Sequence, residues 1–469
     1  MGIGAARKFL AGFGAMGCLL AASAGFAESP TQIDPPFHNL RYDDNFSYLA
    51  GKADPTLWER LKYIPLGSSA YGPIFLTLGG EIRERFETYQ NPNFGINAPP
   101  ANGYLLQRLN LDGDLHVTDY FRAFVQLGDD RIFGNRWVAS TTDVDRWDLM
   151  QRFVDLHPPS PFGDDPTFRA GREELAYGYQ RLIAVREGPN VRRDFDGYRV
   201  IDRIGDATVD FISVQPTVDS PYAMDDATNM AQHLSGVYIT TPVFAALKAD
   251  LYALNFSNTQ AKFRGLTGKE NIETIGTRLF GKEAGFDWNV EASTQTGTFR
   301  TQNVQASFLA AVAGYTLENI DWKPRFGFSA NYASGDDAHS KTIGTFNPMY
   351  PRLPYFAETS QMVPANIKDI RPLFSFQPAQ RWDVVLGWDS LWRVSTTDGI
   401  YGSGMVEIPN SNKATSSFVG TELSADIRWQ VDFHLQLGAI LAELYAGPAL
   451  TEIKGKDLIY AVAFAKYKF

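Results

Sequence analysis

The chain has 469 residues, a net charge of −10 at pH 7 and a single cysteine. The acidic balance argues against nucleic acid as a partner. After the amino-terminal segment there is no run of about 18 apolar residues, which excludes a helical membrane protein.

The first residues read as a secretory signal. Arg7 and Lys8 form a short positive region, Phe9 to Ala22 is apolar and small, and Gly25-Phe26-Ala27 offers a cleavage site, with Ala22-Ser23-Ala24 as a second. The apolar run is shorter than the roughly 20 residues that a spanning helix needs. Residues 1–27 are therefore expected to be a signal peptide, and Cys18 leaves with it. Without cysteine the remainder has no disulfide, thiolate metal ligand or thiol nucleophile. Residues 28–72 read as a periplasmic segment, in which Thr56 to Tyr63 has the spacing of one short helix.

From residue 73 to 469 the pattern changes to alternation with period two, expected of strands with one apolar and one polar face. In Leu105–Val117, Leu109, Leu111, Leu115 and Val117 alternate with Arg108, Asn110, Asp112, Asp114 and His116. Ala284–Gln295, Lys323–Ala333 and Trp382–Ser395 repeat it. In Thr421–Leu437 one parity is apolar over the whole length, too long for one membrane crossing, so a tight turn is expected near Gln430–Asp432. Asn91–Gly103 and His157–Pro166 read as loops. Asp336–Arg381 holds six prolines and little periodicity, and is expected to be a long extracellular loop or a segment folded toward the pore. The last strand places Ile459, Ala461, Ala463, Ala465, Tyr467 and Phe469 on one face and Lys466 and Lys468 on the other. A closing strand that ends on Phe resembles the carboxy-terminal signal of bacterial outer-membrane barrels, which their assembly machinery reads.

A soluble sandwich also alternates. Against it stand the unbroken recurrence of the pattern, Trp and Tyr at strand ends, and the charge on the polar parity. The expected fold is all-β: a single-domain transmembrane antiparallel β-barrel of about 18 strands, with 16 as the alternative, in the outer membrane of a Gram-negative bacterium. Its partners would be outer-membrane lipid and the assembly machinery at Phe469.

Two charged blocks remain. Glu81, Arg83, Arg85 and Glu87 share one face of a strand, and Phe168 to Arg199 is rich in arginine without lysine. Charges facing lipid near the midplane cost several kcal/mol each, so most of these face the lumen, a loop or the interface. They read either as ladders bracing the barrel or as a selectivity lining, since arginine stays charged and grips carboxylates with paired hydrogen bonds.

Gly79-Gly-Glu-Ile-Arg-Glu-Arg-Phe-Glu resembles the first-strand motif of the alginate export family of outer-membrane proteins. Ala170-Gly-Arg-Glu-Glu-Leu-Ala-Tyr-Gly and Arg186-Glu-Gly-Pro-Asn-Val-Arg-Arg-Asp-Phe-Asp-Gly are similar to its most recognisable block, and Trp388-Asp-Ser-Leu-Trp-Arg-Val, Asp398-Gly-Ile-Tyr-Gly and Gly420-Thr-Glu-Leu resemble its later strands. The resemblance implies an 18-stranded monomer that passes a polyuronate through an arginine-rich constriction. By position in the matching motifs, Arg83, Arg85, Arg172, Arg181, Arg192, Arg193 and Arg393 are expected to line it.

The expected function is thus an outer-membrane channel for an anionic polysaccharide or sugar acid, of alginate type. The alternatives are a general or small-solute uptake porin with a structural arginine network, and an adhesive barrel working through its long loop. No enzyme and no cofactor is expected. Glu173 and Glu174 are adjacent and point to opposite faces of a strand. His38, His116, His157, His233, His339 and His434 show no metal-ligand spacing, and no Gly-x-Ser-x-Gly elbow occurs.

Overall fold

The computed structural model describes residues 37–98, 101–159 and 166–469. The expected signal peptide lies outside these residues. Eighteen long antiparallel strands form one closed sheet. They are β1 (Gly72–Gln90), β2 (Ala101–Val117), β3 (Phe121–Phe133), β4 (Asp145–Leu156), β5 (Thr167–Glu174) and β6 (Asp194–Ile204). Then follow β7 (Ala207–Val218), β8 (Gln232–Phe244), β9 (Leu247–Phe263), β10 (Leu266–Glu283), β11 (Phe286–Phe299) and β12 (Gln302–Thr316). The last six are β13 (Arg325–Ala333), β14 (Ile367–Phe376), β15 (Trp382–Arg393), β16 (Phe418–Gln430), β17 (Leu435–Ala446) and β18 (Leu458–Lys468).

Each strand pairs with its sequence neighbour, and β18 returns to β1 in the register Glu81↔Lys468 to Gln90↔Ile459. Closure removes the sheet edges, so the backbone donors of the wall pair strand to strand without water. Phe469 completes the seam by exchanging backbone hydrogen bonds with Gly80, at 2.8 and 3.0 Å. A side chain at Gly80 would meet the Phe469 ring at 2.7 Å, so the terminal ring uses the space that glycine leaves.

The alternation sets the two faces. Phe86, Leu111, Val125, Phe211, Leu251 and Phe326 point outward and are exposed, while Arg83, Arg108, Asp112 and Glu291 point inward and are buried. An outward apolar belt around a polar interior is the pattern that lipid requires. The expected turn in Thr421–Leu437 falls at residues 431–434, and parity is kept across it.

The expectation for Asp336–Arg381 needs correction: its second part is strand β14. Pro372 has no N–H to give to the ladder, and the β14–β15 register passes from Ile370↔Ser390 directly to Leu373↔Gly387. The inward face of β14 also mixes Ile367 and Leu373 with Asp369 and Arg371. Alternation is therefore not readable there.

At one end the connections are short, such as 205–206, 245–246 and 284–285. At the other they include L3 (175–193), L4 (219–231), L7 (334–366) and L8 (394–417). Short periplasmic turns and long extracellular loops are the usual asymmetry of such barrels. The amino-terminal segment lies in the short-turn mouth. Its helix α1 (Leu57–Lys62) starts with a Thr56–Glu59 capping box, and Arg41 donates to the carbonyls of Gly80 (2.9 Å) and Phe469 (3.3 Å).

Candidate functional site: a cationic chamber between two inward loops

L3 and L7 both turn into the lumen and meet. Tyr350 N–H donates to the Leu182 carbonyl at 2.9 Å and Arg352 N–H to the Gln180 carbonyl at 3.0 Å, which runs the two loops side by side. Gly188 makes the closest approach: a β-carbon there would sit 2.4 Å from the Leu353 carbonyl oxygen. Ile183, Phe195, Phe346 and Tyr350 are buried in one apolar cluster, so the contact excludes water as well as pairing backbone.

The wall holds L3 through arginine. Arg83 donates to the carbonyls of Glu187 and Pro189, both at 2.9 Å. Arg108, beside it on β2, donates to the carbonyls of Asn190 (2.8 Å) and Pro189 (2.7 Å). The Glu187 carboxylate lies among Arg108 (3.2 Å), Arg192 (2.6 Å) and Lys466 (3.0 Å). Arg371 of β14 anchors L7 through the Phe356 carbonyl (2.6 Å) and Glu358 (3.0 Å).

Between these loops and the wall of β1, β16, β17 and β18 lies a chamber of about 220 Å³. Six cationic side chains line it, Arg83, Arg85, Arg352, Arg371, Arg428 and Lys466, against the acids Glu187, Glu358 and Asp426. The lining is cationic although the whole chain is acidic. A second cavity of about 370 Å³, with Arg186, Arg193 and Lys262 in its lining, lies on the long-loop side of L7. Low-dielectric walls around a surplus of one sign concentrate counter-ions.

The seven arginines singled out from the sequence divide. Arg83 and Arg85 line the inner chamber and Arg193 the outer cavity. Arg181 crosses the lumen from L3 to Asn289 (2.8 Å) and Glu291 (2.7 Å) on β11. Arg192 is held by Glu174, Glu187 and the Asn39 carbonyl, joining L3 to the amino-terminal segment.

Arg172 points away from the lumen and Arg393, inward beside Ile367, is taken up by L8, so both expectations are corrected. Arg172 pairs in register with Asp196, on the side of the wall that carries Tyr198, which is 69% exposed. It bonds Asp196 at 3.1 and 3.0 Å beneath L4. On the wall itself, Arg169 of β5 and Arg199 of β6 point inward, share Glu173 at 2.8 and 2.6 Å and brace the wall. Arg393 spends its guanidinium on carbonyls of L8, including Asp398 (3.1 Å), Ser411 (3.0 Å) and Ala414 (2.8 Å). It shapes that loop. Arg352, Arg371, Arg428 and Lys466 lie outside the family-like motifs. Arg428 and Lys466 show in the sequence only as polar-parity residues of their strands.

The short-turn side of the chamber is approached through the amino-terminal segment. The Tyr42 hydroxyl donates to the Glu174 carbonyl at 2.7 Å, and its ring packs edge-on against Phe124 and Phe153. Lys62 is buried under Phe37, Phe46 and Trp58 and donates to the Leu78 carbonyl at 2.7 Å. Burial pushes its pKa down to about 8.

The profile of the alginate export family matches residues 75–464. No curated protein sequence matches the chain at a significant level. Among solved structures, the barrel is similar to OccAB1 of Acinetobacter baumannii, with a TM-score of 0.59 at 10% identity over 87% of this chain and 99% of that one. It is also similar to OccK2 (OpdF) of Pseudomonas aeruginosa, solved in complex with glucuronate, with a TM-score of 0.56 at 10% identity over 84% and 98%. At such identity the likeness is one of fold.

Proposed function

This chain belongs to the alginate export family and is an outer-membrane β-barrel channel; on that premise we propose that its inner chamber is the anion-selecting station for a polyuronate. The observation that carries the reading is the surplus of guanidinium and ammonium groups around the space between L3, L7 and the wall. Each uronate unit carries one carboxylate, and arginine offers it two parallel donors. Acids among the cations, Glu187 and Asp426 foremost, compete for the same guanidinium groups. They keep each contact short-lived, so a chain passes from one arginine to the next. Arg186, Arg193 and Lys262 of the outer cavity serve as a second station.

A second reading is favoured by one observation. L3 and L7 are joined across the lumen, and a chamber of about 220 Å³ matches a single sugar acid better than a polymer strand. The same barrel would then take up monomeric uronates, in keeping with the glucuronate complex of the similar OccK2 barrel. Liposome swelling separates the readings. Polymer passage requires entry of oligouronates of several units and exclusion of neutral oligosaccharides of equal length. The sugar-acid reading requires entry of monomers only. Equal entry of neutral and acidic sugars contradicts both.

A further inference from the structure

The outer end of β4 gathers acidic side chains that the channel reading does not use. β4 pairs with β3 as Gly128↔Asp148, and the next pair is Asp130↔Asp145, so Arg146 and Trp147 bulge from the ladder. Trp147 takes left-handed backbone, with φ 50°. On a regular strand, residues three apart point to opposite faces. The bulge brings Asp145 and Asp148 to one place instead. Asp226 arrives from L4. A carboxylate oxygen from each of these three residues lies within 4.8 Å of the others. L4 is fixed around it, since Ser220 N–H donates to Asp226 Oδ1 (2.8 Å) and Asp226 N–H donates to Asp148 Oδ2 (3.2 Å).

The charge on this group is answered by protein only in part. Asp145 is 1% exposed, and neither of its carboxylate oxygens has a hydrogen-bond partner among the described residues. Asp226 Oδ2 also lacks one, and its ionic neighbour is Arg172 Nη1 at 3.6 Å. Arg172 is already engaged through Nε and Nη2 with Asp196. One guanidinium thus stands among four carboxylates. Buried carboxylates of this kind are paired, bound to a metal or protonated, and a calcium titration separates the last two.

We propose that Asp145, Asp148 and Asp226 form a divalent-cation site that pins L4 to the extracellular rim of the barrel. The donor set is all oxygen, without nitrogen or sulfur, which selects a hard ion over zinc or copper. Calcium is the fitting ion, because it accepts several carboxylates in irregular geometry and completes its shell with carbonyls and water, whereas magnesium demands a near-ideal octahedron. Arg172, set aside as a pore residue, acquires a role here as the counter-cation that orients Asp196 and Asp226.

The test uses the full-length barrel in detergent, stripped with a chelator and titrated with calcium chloride in a calorimeter. One ion per barrel is expected, with a dissociation constant of about 10⁻⁴–10⁻³ M, as for other extracellular sites. Asp145→Asn and Asp226→Asn should each weaken binding by about tenfold or more, and Asp206→Asn, in the opposite turn, should leave it unchanged. A second readout is chymotrypsin cleavage at the exposed Tyr222 of L4, which calcium should slow in the wild type and not in Asp226→Asn. Asp226 lies in a loop, so this variant leaves the strands untouched if Asp145→Asn does not fold. No calcium uptake up to about 10 mM, an order above such constants, or an Asp226→Asn protein that binds as the wild type does, overturns the proposal.

Discussion

Gly188 and Leu353 touch backbone to backbone where L3 meets L7, and a β-carbon at 188 would lie 2.4 Å from the Leu353 carbonyl oxygen. This contact lies between the two cationic cavities, with Leu353 in the lining of both. Gly188→Val should force the loops apart while leaving the β-barrel wall intact. Planar-bilayer conductance should rise, and the heat-induced gel shift that reports the folded barrel should not change.

Arg85 and Lys466 line the chamber from neighbouring strands. Hydrogen bonds to charged groups contribute about 1.5–3 kcal/mol, so Arg85→Gln or Lys466→Gln should weaken oligouronate block of the current by about tenfold each. Anion preference at about 0.1 M salt should fall too, where screening leaves lumenal charge effective. Dose–response curves for current block measure the first effect, and reversal potentials in a salt gradient the second.

Arg393 should behave differently. Its donors go to L8 carbonyls, so Arg393→Ala should expose L8 to protease and leave anion preference unchanged. Loss of preference in this variant would return Arg393 to the lining.

Docking of the amino-terminal segment rests on Tyr42 and Lys62. Removing a buried aromatic ring costs about 3–5 kcal/mol. Tyr42→Ala should therefore release the segment, seen as faster trypsin cleavage at exposed Lys52.

Lys62 makes the same docking pH-dependent. Its pKa is lowered to about 8 by burial from an ordinary value of 10.5. Between these values the undocked segment binds more protons, so docking strengthens as pH rises from 8 to 10.5 and is uniformly weaker below 8. Anisotropy of a fluorophore on Lys52→Cys should rise over that window, and Lys62→Met should abolish the rise.

Much of the barrel was legible because the bilayer imposes period two on every strand. Leu109 and Leu111 outward with charged Arg108 and Asp112 inward is the pattern of a barrel wall around a polar lumen. Legibility failed where parity breaks. Pro372 and a mixed inward face hid β14. In β5, parity separates inward Arg169 from outward Arg172, and the motif alone does not carry that distinction. Arg393 shows a different limit, because its partners are carbonyls of a loop whose path local sequence does not specify. Arg352 and Arg371 become site residues only through the meeting of L7 with L3, a contact between positions more than 150 residues apart.

On the proposed function, the chamber selects uronate carboxylates by charge. Single-channel recording of the reconstituted barrel, with oligouronates and then neutral oligosaccharides of equal length added to one side, tests it most directly. The expected result is an anion-preferring current with discrete blockades by oligouronates alone, each shortened by Arg85→Gln. A cation-preferring or unselective current, blocked equally by neutral sugars, would contradict it.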